Sequence, residues 1–263
     1  MCRSEPSKYR HLGQHFLIDK NHRSKFLTAM QMRNSSVIWD IGAGSGLLAQ
    51  DLLSMGHNLY LFEYDFRWCK HLRERFAHEI DQGRCTIVSG DACKTWQNTP
   101  IPDYIVSNFP FDIGIPFLMD FTMRSQKLIP IQGILQKELV ERISARPSTK
   151  SYGHISVFLQ MYYEVKVGYT IPPGAFSPPP NVMCSTITLS PKKSTVPLDL
   201  RINAAELLKI GFRMRRKTLQ NNFKGIVGDE QQGLLTTLGN RRAESLTLDE
   251  WERLCEKVQN IAP

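Results

Sequence analysis

The sequence predicts an α/β fold built on a mostly parallel sheet, with a small helical domain at its C-terminal end. Three observations carry this. Short β-rich apolar runs alternate with amphipathic stretches from residue 37 to about 136, a glycine-rich turn follows the first run, and a Pro-, Lys- and Ser-rich stretch at 190–197 precedes a helical region.

Residues 8–19 are polar and precede a helix predicted at 20–32, so they suit a flap folded over the sheet. Strands are predicted at 37–41, 59–63, 85–88, 104–107 and 133–135, with helical spacing between them at 47–55, 66–80 and 115–123. Strands joined through helices run parallel, because each crossover returns the chain to the same edge of the sheet. Residues 164–171 and 183–189 alternate like two further strands around the proline-rich 172–180, which suits a hairpin-like pair at the sheet edge and brings the count to seven. From 200 to 261 the helical pattern is broken at Gly211, Gly225 and Gly239. The predicted division is a domain at 1–194 and a helical domain at 195–263.

With 33 Lys and Arg against 25 Asp and Glu the chain carries +8 at neutral pH, which favours a polyanionic partner. Six cysteines, at 2, 69, 85, 93, 184 and 255, show no CxxC or Cys/His spacing, so neither a metal site nor a disulfide framework is expected. No apolar run approaches the roughly 18 residues of a membrane helix, and the polar start lacks the apolar core of a secretory signal. The expectation is a soluble, cytoplasmic monomer with reduced thiols.

The turn Asp40-Ile41-Gly42-Ala43-Gly44-Ser45-Gly46 follows the first strand and opens a helix, the place where α/β sheets cradle a ligand. Its third glycine comes one residue too early for a dinucleotide fingerprint, and no phosphate-binding GxxxxGK[ST] string is present, so a nucleoside without a triphosphate fits better. Glu63 ends the second strand about 20 residues on, where a carboxylate accepts from ribose hydroxyls. Asp91, in Gly90-Asp91-Ala92, ends the third strand and suits contact with an adenine amine. Either carboxylate alone equally suits a helix cap. Their register at successive strand ends favours the ligand.

Ser107-Asn108-Phe109-Pro110-Phe111 follows the fourth strand. Such a loop suits methylation of an exocyclic purine amine, a poor nucleophile because its lone pair is delocalised into the ring. If the Asn108 oxygen and the Phe109 carbonyl accept the two N–H bonds, the nitrogen pyramidalises and attacks a sulfonium methyl directly, with no metal or covalent intermediate. Pro110 stiffens the loop and preorganises these acceptors. Phe111 would stack on a base extruded from its helix, and stacking of about 1–3 kcal/mol offsets part of the unstacking cost. Phe176, in Phe176-Ser177-Pro178-Pro179-Pro180, suits either the same base pocket or a hydrophobic plug beneath its loop.

In this order the motifs resemble the ribosomal RNA adenine dimethyltransferases, which include the bacterial KsgA enzyme, its eukaryotic counterparts and the Erm resistance enzymes. The resemblance runs from Gly13-Gln14-His15-Phe16-Leu17 through the motifs above to Gln136-Lys137-Glu138, Tyr152-Gly153 and Phe212-Arg213-Met214-Arg215-Arg216-Lys217, nearly the whole chain. It implies a Rossmann-like class I methyltransferase domain and S-adenosylmethionine as cofactor. His15, Leu17, Gly42, Gly44, Glu63, Asp91, Ala92 and Asn108 would line that cofactor's site, and Phe111 and Phe176 would hold the flipped adenine. The string at 212–222 and Leu246-Thr247-Leu248-Asp249-Glu250-Trp251 resemble the KsgA branch more than Erm. That branch implies dimethylation of two adjacent adenosines in a hairpin near the 3′ end of small-subunit RNA, in a small subunit or its precursor. Four positions depart from the family: His15 stands for Asn, Asp40 for Glu, Ala43 for Pro and Phe111 for Tyr. Arg213, Arg215, Arg216, Lys217 and Lys224 suit RNA phosphates, though each equally suits a solvated helix face. The competing readings are an Erm-type enzyme acting on large-subunit RNA, a DNA adenine or protein glutamine methyltransferase, and a non-enzymatic ribosome-assembly factor. The basic helical region argues against a protein substrate.

Overall fold

The computed structural model describes residues 14–192, 196–225 and 238–258. Gly13, the first part of the expected flap, the middle of the linker, and the stretches 226–237 and 259–263 lie outside the described residues. The chain divides into two compact units: one comprises Met1–Leu118, Lys127–Val140 and Lys166–Ser190, the other Met119–Gln126, Glu141–Val165 and Pro191–Pro263. The sequence predicts a single boundary after 194; the last of these crossings falls four residues before it, while the earlier ones pass through two helices, the bend at 126–127 and a strand.

The first unit is organised by a seven-stranded sheet. Its strands are β2 (Val37–Ile41), β3 (Asn58–Glu63), β4 (Cys85–Ser89), β5 (Tyr104–Asn108), β6 (Ile131–Gln136), β7 (Tyr163–Ile171) and β9 (Cys184–Pro191), in the order β4-β3-β2-β5-β6-β9-β7. The pairs β2/β3, β3/β4, β2/β5 and β5/β6 are parallel, and β6/β9 is antiparallel. The order reverses between β2 and β5. At such a switch the loops leaving the carboxyl ends diverge and open a crevice.

Helices α1 (Lys20–Thr28), α2 (Leu47–Ser54) and α3 (Phe66–Arg75) are capped or positioned by local chemistry. The Asp19 and Asp65 carboxylates accept from His22 N and Arg67 N and so satisfy first-turn N–H groups of α1 and α3. The predicted helix at 66–80 is broken: α3 ends before Phe76, and α4 (Ala77–Asp81) follows. Phe76 leaves helical geometry at φ −108°, ψ 26° and is 3% exposed, its ring turned against Gly46.

The expected edge pair is present, since β7 lies at the sheet edge beside β9, where Tyr169 N donates to Thr186 Oγ1 at 3.0 Å. Its connection is more than a hairpin turn. Within it β8 (Phe176–Ser177) pairs antiparallel with β1 (Phe16–Leu17), so the described end of the flap is a strand. Leu17 and Phe176 are both buried in the core with Phe26, Ile38, Leu52 and Val106.

The second unit packs around Trp251, Phe212 and Tyr152: Phe212 stacks on Trp251 at 5.4 Å and meets the edge of Tyr152 at 6.0 Å. Its helices include those at Leu198–Gly211, Leu219–Phe223 and Leu248–Lys257. Thr247 and Glu250 form a capping box that starts the last of these. Among the described residues no helix is long and apolar enough to cross a membrane, and no cluster of His, Cys, Asp and Glu could hold a metal ion.

Candidate active site

The carboxyl ends of β2, β3, β4 and β5 deliver four motifs to one cleft in the first unit. Lining it are His15, Gly42, Gly44, Glu63, Ala92, Asn108, Phe109, Pro110 and Phe111. These residues come from five separate stretches of sequence, so the fold brings together most of what the motifs nominated.

The glycines of the 42–46 loop make room for neighbouring side chains. Gly42 has φ +76°, and a Cβ there would lie 2.3 Å from Pro110 Cγ, so the reaction loop fits only over a bare backbone. At Gly44, φ +51°, a Cβ would lie 2.2 Å from the Phe16 ring of the flap. The loop thus interlocks with both the reaction loop and the flap.

Glu63 is 5% exposed, and its two oxygens accept from Gly44 N and Asp65 N, each at 2.8 Å. Burial pushes its carboxyl above the usual range, with the Asp65 charge adding and backbone N–H bonds from Asp65, Gly44 and Tyr64 opposing. Each oxygen keeps a second lone pair for a hydroxyl donor. The donor set fits a nucleoside: a carboxylate at the second parallel strand for ribose, and no lysine in the loop for phosphates. Beneath the loop, burial and the Glu63 charge raise Asp40 to about 7 against the Ser107 hydroxyl's opposing effect.

At the end of β5, Asn108 Nδ2 donates to the His15 carbonyl at 2.8 Å. The Phe109 ring is 1% exposed and packs where Gly114 and Gly133 leave space, a Cβ at Gly133 coming within 2.8 Å of it. What Phe109 can offer the cleft is therefore its backbone. His15 lies 4.9 Å from the Phe111 ring, and its Nδ1 donates to the Pro178 carbonyl at 2.8 Å, an oxygen that can only accept.

Three nominated residues stand elsewhere. Asp91 caps α5 (Ala92–Thr95) by accepting from Cys93 N at 3.0 Å, while its neighbours Gly90 and Ala92 line the cleft. Leu17 lies behind the cleft in a smaller pocket with Asp40 and Leu48. Phe176 is 3% exposed and serves as the plug beneath its loop, the alternative that spacing left open. Sequence reasoning missed Tyr64 and Asp65 of the cleft wall, although both directly follow the strand-end Glu63. In the second unit Arg213, Arg215, Arg216, Lys217 and Lys224 are all exposed, and Arg215 pairs with Glu244 at 3.0 Å.

The family described as ribosomal RNA adenine dimethylase matches residues 6–260. The chain belongs to that family. It is thereby an S-adenosylmethionine-dependent ribosomal RNA adenine dimethyltransferase, as the motifs implied. The chain is 32% identical over 244 residues to ribosomal RNA small subunit methyltransferase A of Nitrosospira multiformis, covering 92% of this chain and 93% of that one. It is 33% identical over 250 residues to the protein of the same name from Salinibacter ruber, covering 94% and 83%. A dimethyladenosine transferase from Plasmodium falciparum shares the fold at a TM-score of 0.76 and 22% identity, covering 91% of this chain and 96% of that one. The 23S rRNA methyltransferase ErmE shares it at 0.64 and 18%, covering 92% and 99%.

Proposed function

We propose that this enzyme dimethylates N6 of two adjacent adenosines in a hairpin near the 3′ end of small-subunit ribosomal RNA, acting as a cytoplasmic monomer on a small subunit or its precursor. The names of its relatives at 32–33% identity support the choice of subunit. The observation that carries the chemistry is the Asn108 amide. Its Nδ2 is committed to the His15 carbonyl, so Oδ1 is the amide atom left to accept from a target amine.

When bound, S-adenosylmethionine supplies an electrophilic methyl. Glu63 would hold its ribose hydroxyls, and Gly42, Gly44 and Ala92 would lie against it. Asp91 caps a helix through Oδ1 and pairs through Oδ2 with Lys94 Nζ at 3.8 Å, so an adenine amine would have to share Oδ2 with that ammonium. Asn108 Oδ1 and the Phe109 carbonyl would draw the two N–H bonds of the target out of the ring plane, which localises the nitrogen lone pair for in-line attack. These acceptors are held before substrate arrives, so little reorganisation remains at the transition state. Phe111 would stack on the extruded base. Phe176, buried under the 176–180 loop, would shape that pocket indirectly. Arg213, Arg215, Arg216, Lys217 and Lys224 would bind RNA phosphates and set orientation without reading sequence.

The test is incubation of the purified protein with labelled S-adenosylmethionine and, separately, unmethylated small and large ribosomal subunits, followed by digestion and mapping of modified nucleosides. Dimethyladenosine at adjacent small-subunit positions is expected. Label confined to large-subunit RNA would overturn the choice of subunit, and tight binding without transfer would make the protein an assembly factor.

A further inference from the structure

One side chain braces the flap. Arg23, on α1, is 8% exposed. Its Nη1 donates to the Leu17 carbonyl at 3.0 Å and the Ile18 carbonyl at 2.7 Å, and its Nε donates to Asp51 on α2 at 2.7 Å. Since α2 is the helix that the glycine loop opens, this clamp ties the flap to the element carrying Gly42 and Gly44. Just upstream of Phe16–Leu17, the His15 carbonyl accepts from Asn108 Nδ2 at 2.8 Å. A displaced flap would remove the only group that tells the two ends of the Asn108 amide apart among the hydrogen bonds described for it. The amide could then turn and present a donor, not an acceptor, to the target amine.

We propose that Arg23 is a positioning residue for methyl transfer: through the Leu17 and Ile18 carbonyls it holds the flap strand where the His15 carbonyl selects the acceptor face of Asn108. This rests on the role given to Asn108 above. Lysine cannot substitute, because a point ammonium cannot serve two carbonyls and a carboxylate in the fork geometry of a guanidinium.

The experiment measures single-turnover transfer to unmethylated small subunits, S-adenosylmethionine affinity by calorimetry, and thermal melting, for Arg23→Met, Arg23→Lys and Asp51→Asn. Each change is made in the wild type and in Asn108→Ala. The expected result is a rate loss of about tenfold or more for Arg23→Met, since small misplacements of reacting groups carry large rate costs. Cofactor affinity should stay within about threefold, and Arg23→Met should add less than about twofold in the Asn108→Ala background, as for residues acting through one contact. Arg23→Lys should fail to restore the rate, and Asp51→Asn should show the same non-additivity at smaller size, which keeps the test valid if Arg23→Met folds poorly. Arg33→Gln, which removes an exposed ion pair with Asp103, serves as the unaffected control. Equal losses in both backgrounds, or an unchanged rate in Arg23→Met, would overturn the positioning role alone. Absence of transfer by the wild type would overturn the proposed function and this inference with it.

Discussion

A methyl group is enough to break the carboxyl edge of the sheet, where a Cβ on Gly42 would sit 2.3 Å from Pro110 and one on Gly44 would sit 2.2 Å from Phe16. Residues 213–217 of the helical unit carry their side chains into solvent, and of the four cations there Arg215 meets Glu244. The first region acts through fixed, mostly buried contacts in which each atom has one place. In the proposed function the second would act through charge, which depends on number and distance more than on geometry. Substitutions at the edge should therefore have large, non-additive effects on chemistry, and substitutions along 213–217 should have small, additive effects on binding.

The largest effect is expected at Asn108. Asn108→Ala should lower kcat by about 10²–10³-fold, the usual scale for one preorganised polar contact, with subunit binding retained in a filter assay. An unchanged rate would remove Asn108 from the mechanism. Next comes a pair of glycines in similar backbone conformations. Gly42, at φ +76°, faces Pro110, whereas a methyl added at Gly56, φ +86°, would meet nothing within 4 Å. Both alanine variants carry about 1–2 kcal/mol of left-handed strain. Only Gly42→Ala should also cut transfer, by about 10–10²-fold, since it alone shifts the reaction loop. Matching activity in the two variants would mean that the collision is absorbed without moving Asn108.

On the charged side, Arg216→Ala and Lys217→Ala should each reduce the slope of log affinity against log salt by about 1 and leave the single-turnover rate at saturation unchanged. A rate loss would place these side chains in the chemistry and erase the contrast between the regions. The smallest effect concerns Asp40, which burial raises from 3.8 to about 7. The folded state therefore binds its proton more tightly than the unfolded chain does. That contribution is fully present below the ordinary carboxylate range, declines as pH rises through about 7, and is absent above. Asp40→Asn should accordingly raise Tm relative to wild type by more at about pH 8 than at about pH 5, by a few degrees. A pH-independent difference would show that Asp40 is not the group titrating.

The strand ends were legible because they rest on local signals: period-two apolar runs followed by Gly, Asp or Asn at a turn. Glu63 and Asn108 were found this way and stand in the cleft. Asp91 illustrates the limit, since one carboxylate at a strand end serves equally as ligand or cap, and the choice of Cys93 N as partner depends on how the next turn folds. Phe176 was ambiguous for a different reason. Whether a ring is a wall or a plug depends on pairing with Leu17, a residue 159 positions away, and periodicity carries nothing about so distant a partner. The break at Phe76 was hidden likewise, because a helical period continues through it while its ring is claimed by Gly46.

The antiparallel contact of Phe16 with Ser177 gives the protein a history during its synthesis. The flap strand is among the first described segments to emerge, yet the strand it pairs with is made about 160 residues later. At about 5–20 residues per second, that is a wait on the order of ten seconds or more. Until then the flap is held from one side, by the Arg23 contacts to the Leu17 and Ile18 carbonyls and to Asp51, without its paired strand. A nascent chain can thus complete its central parallel strands well before the flap beside Asn108 is fixed from both sides, and that second hold arrives late in translation.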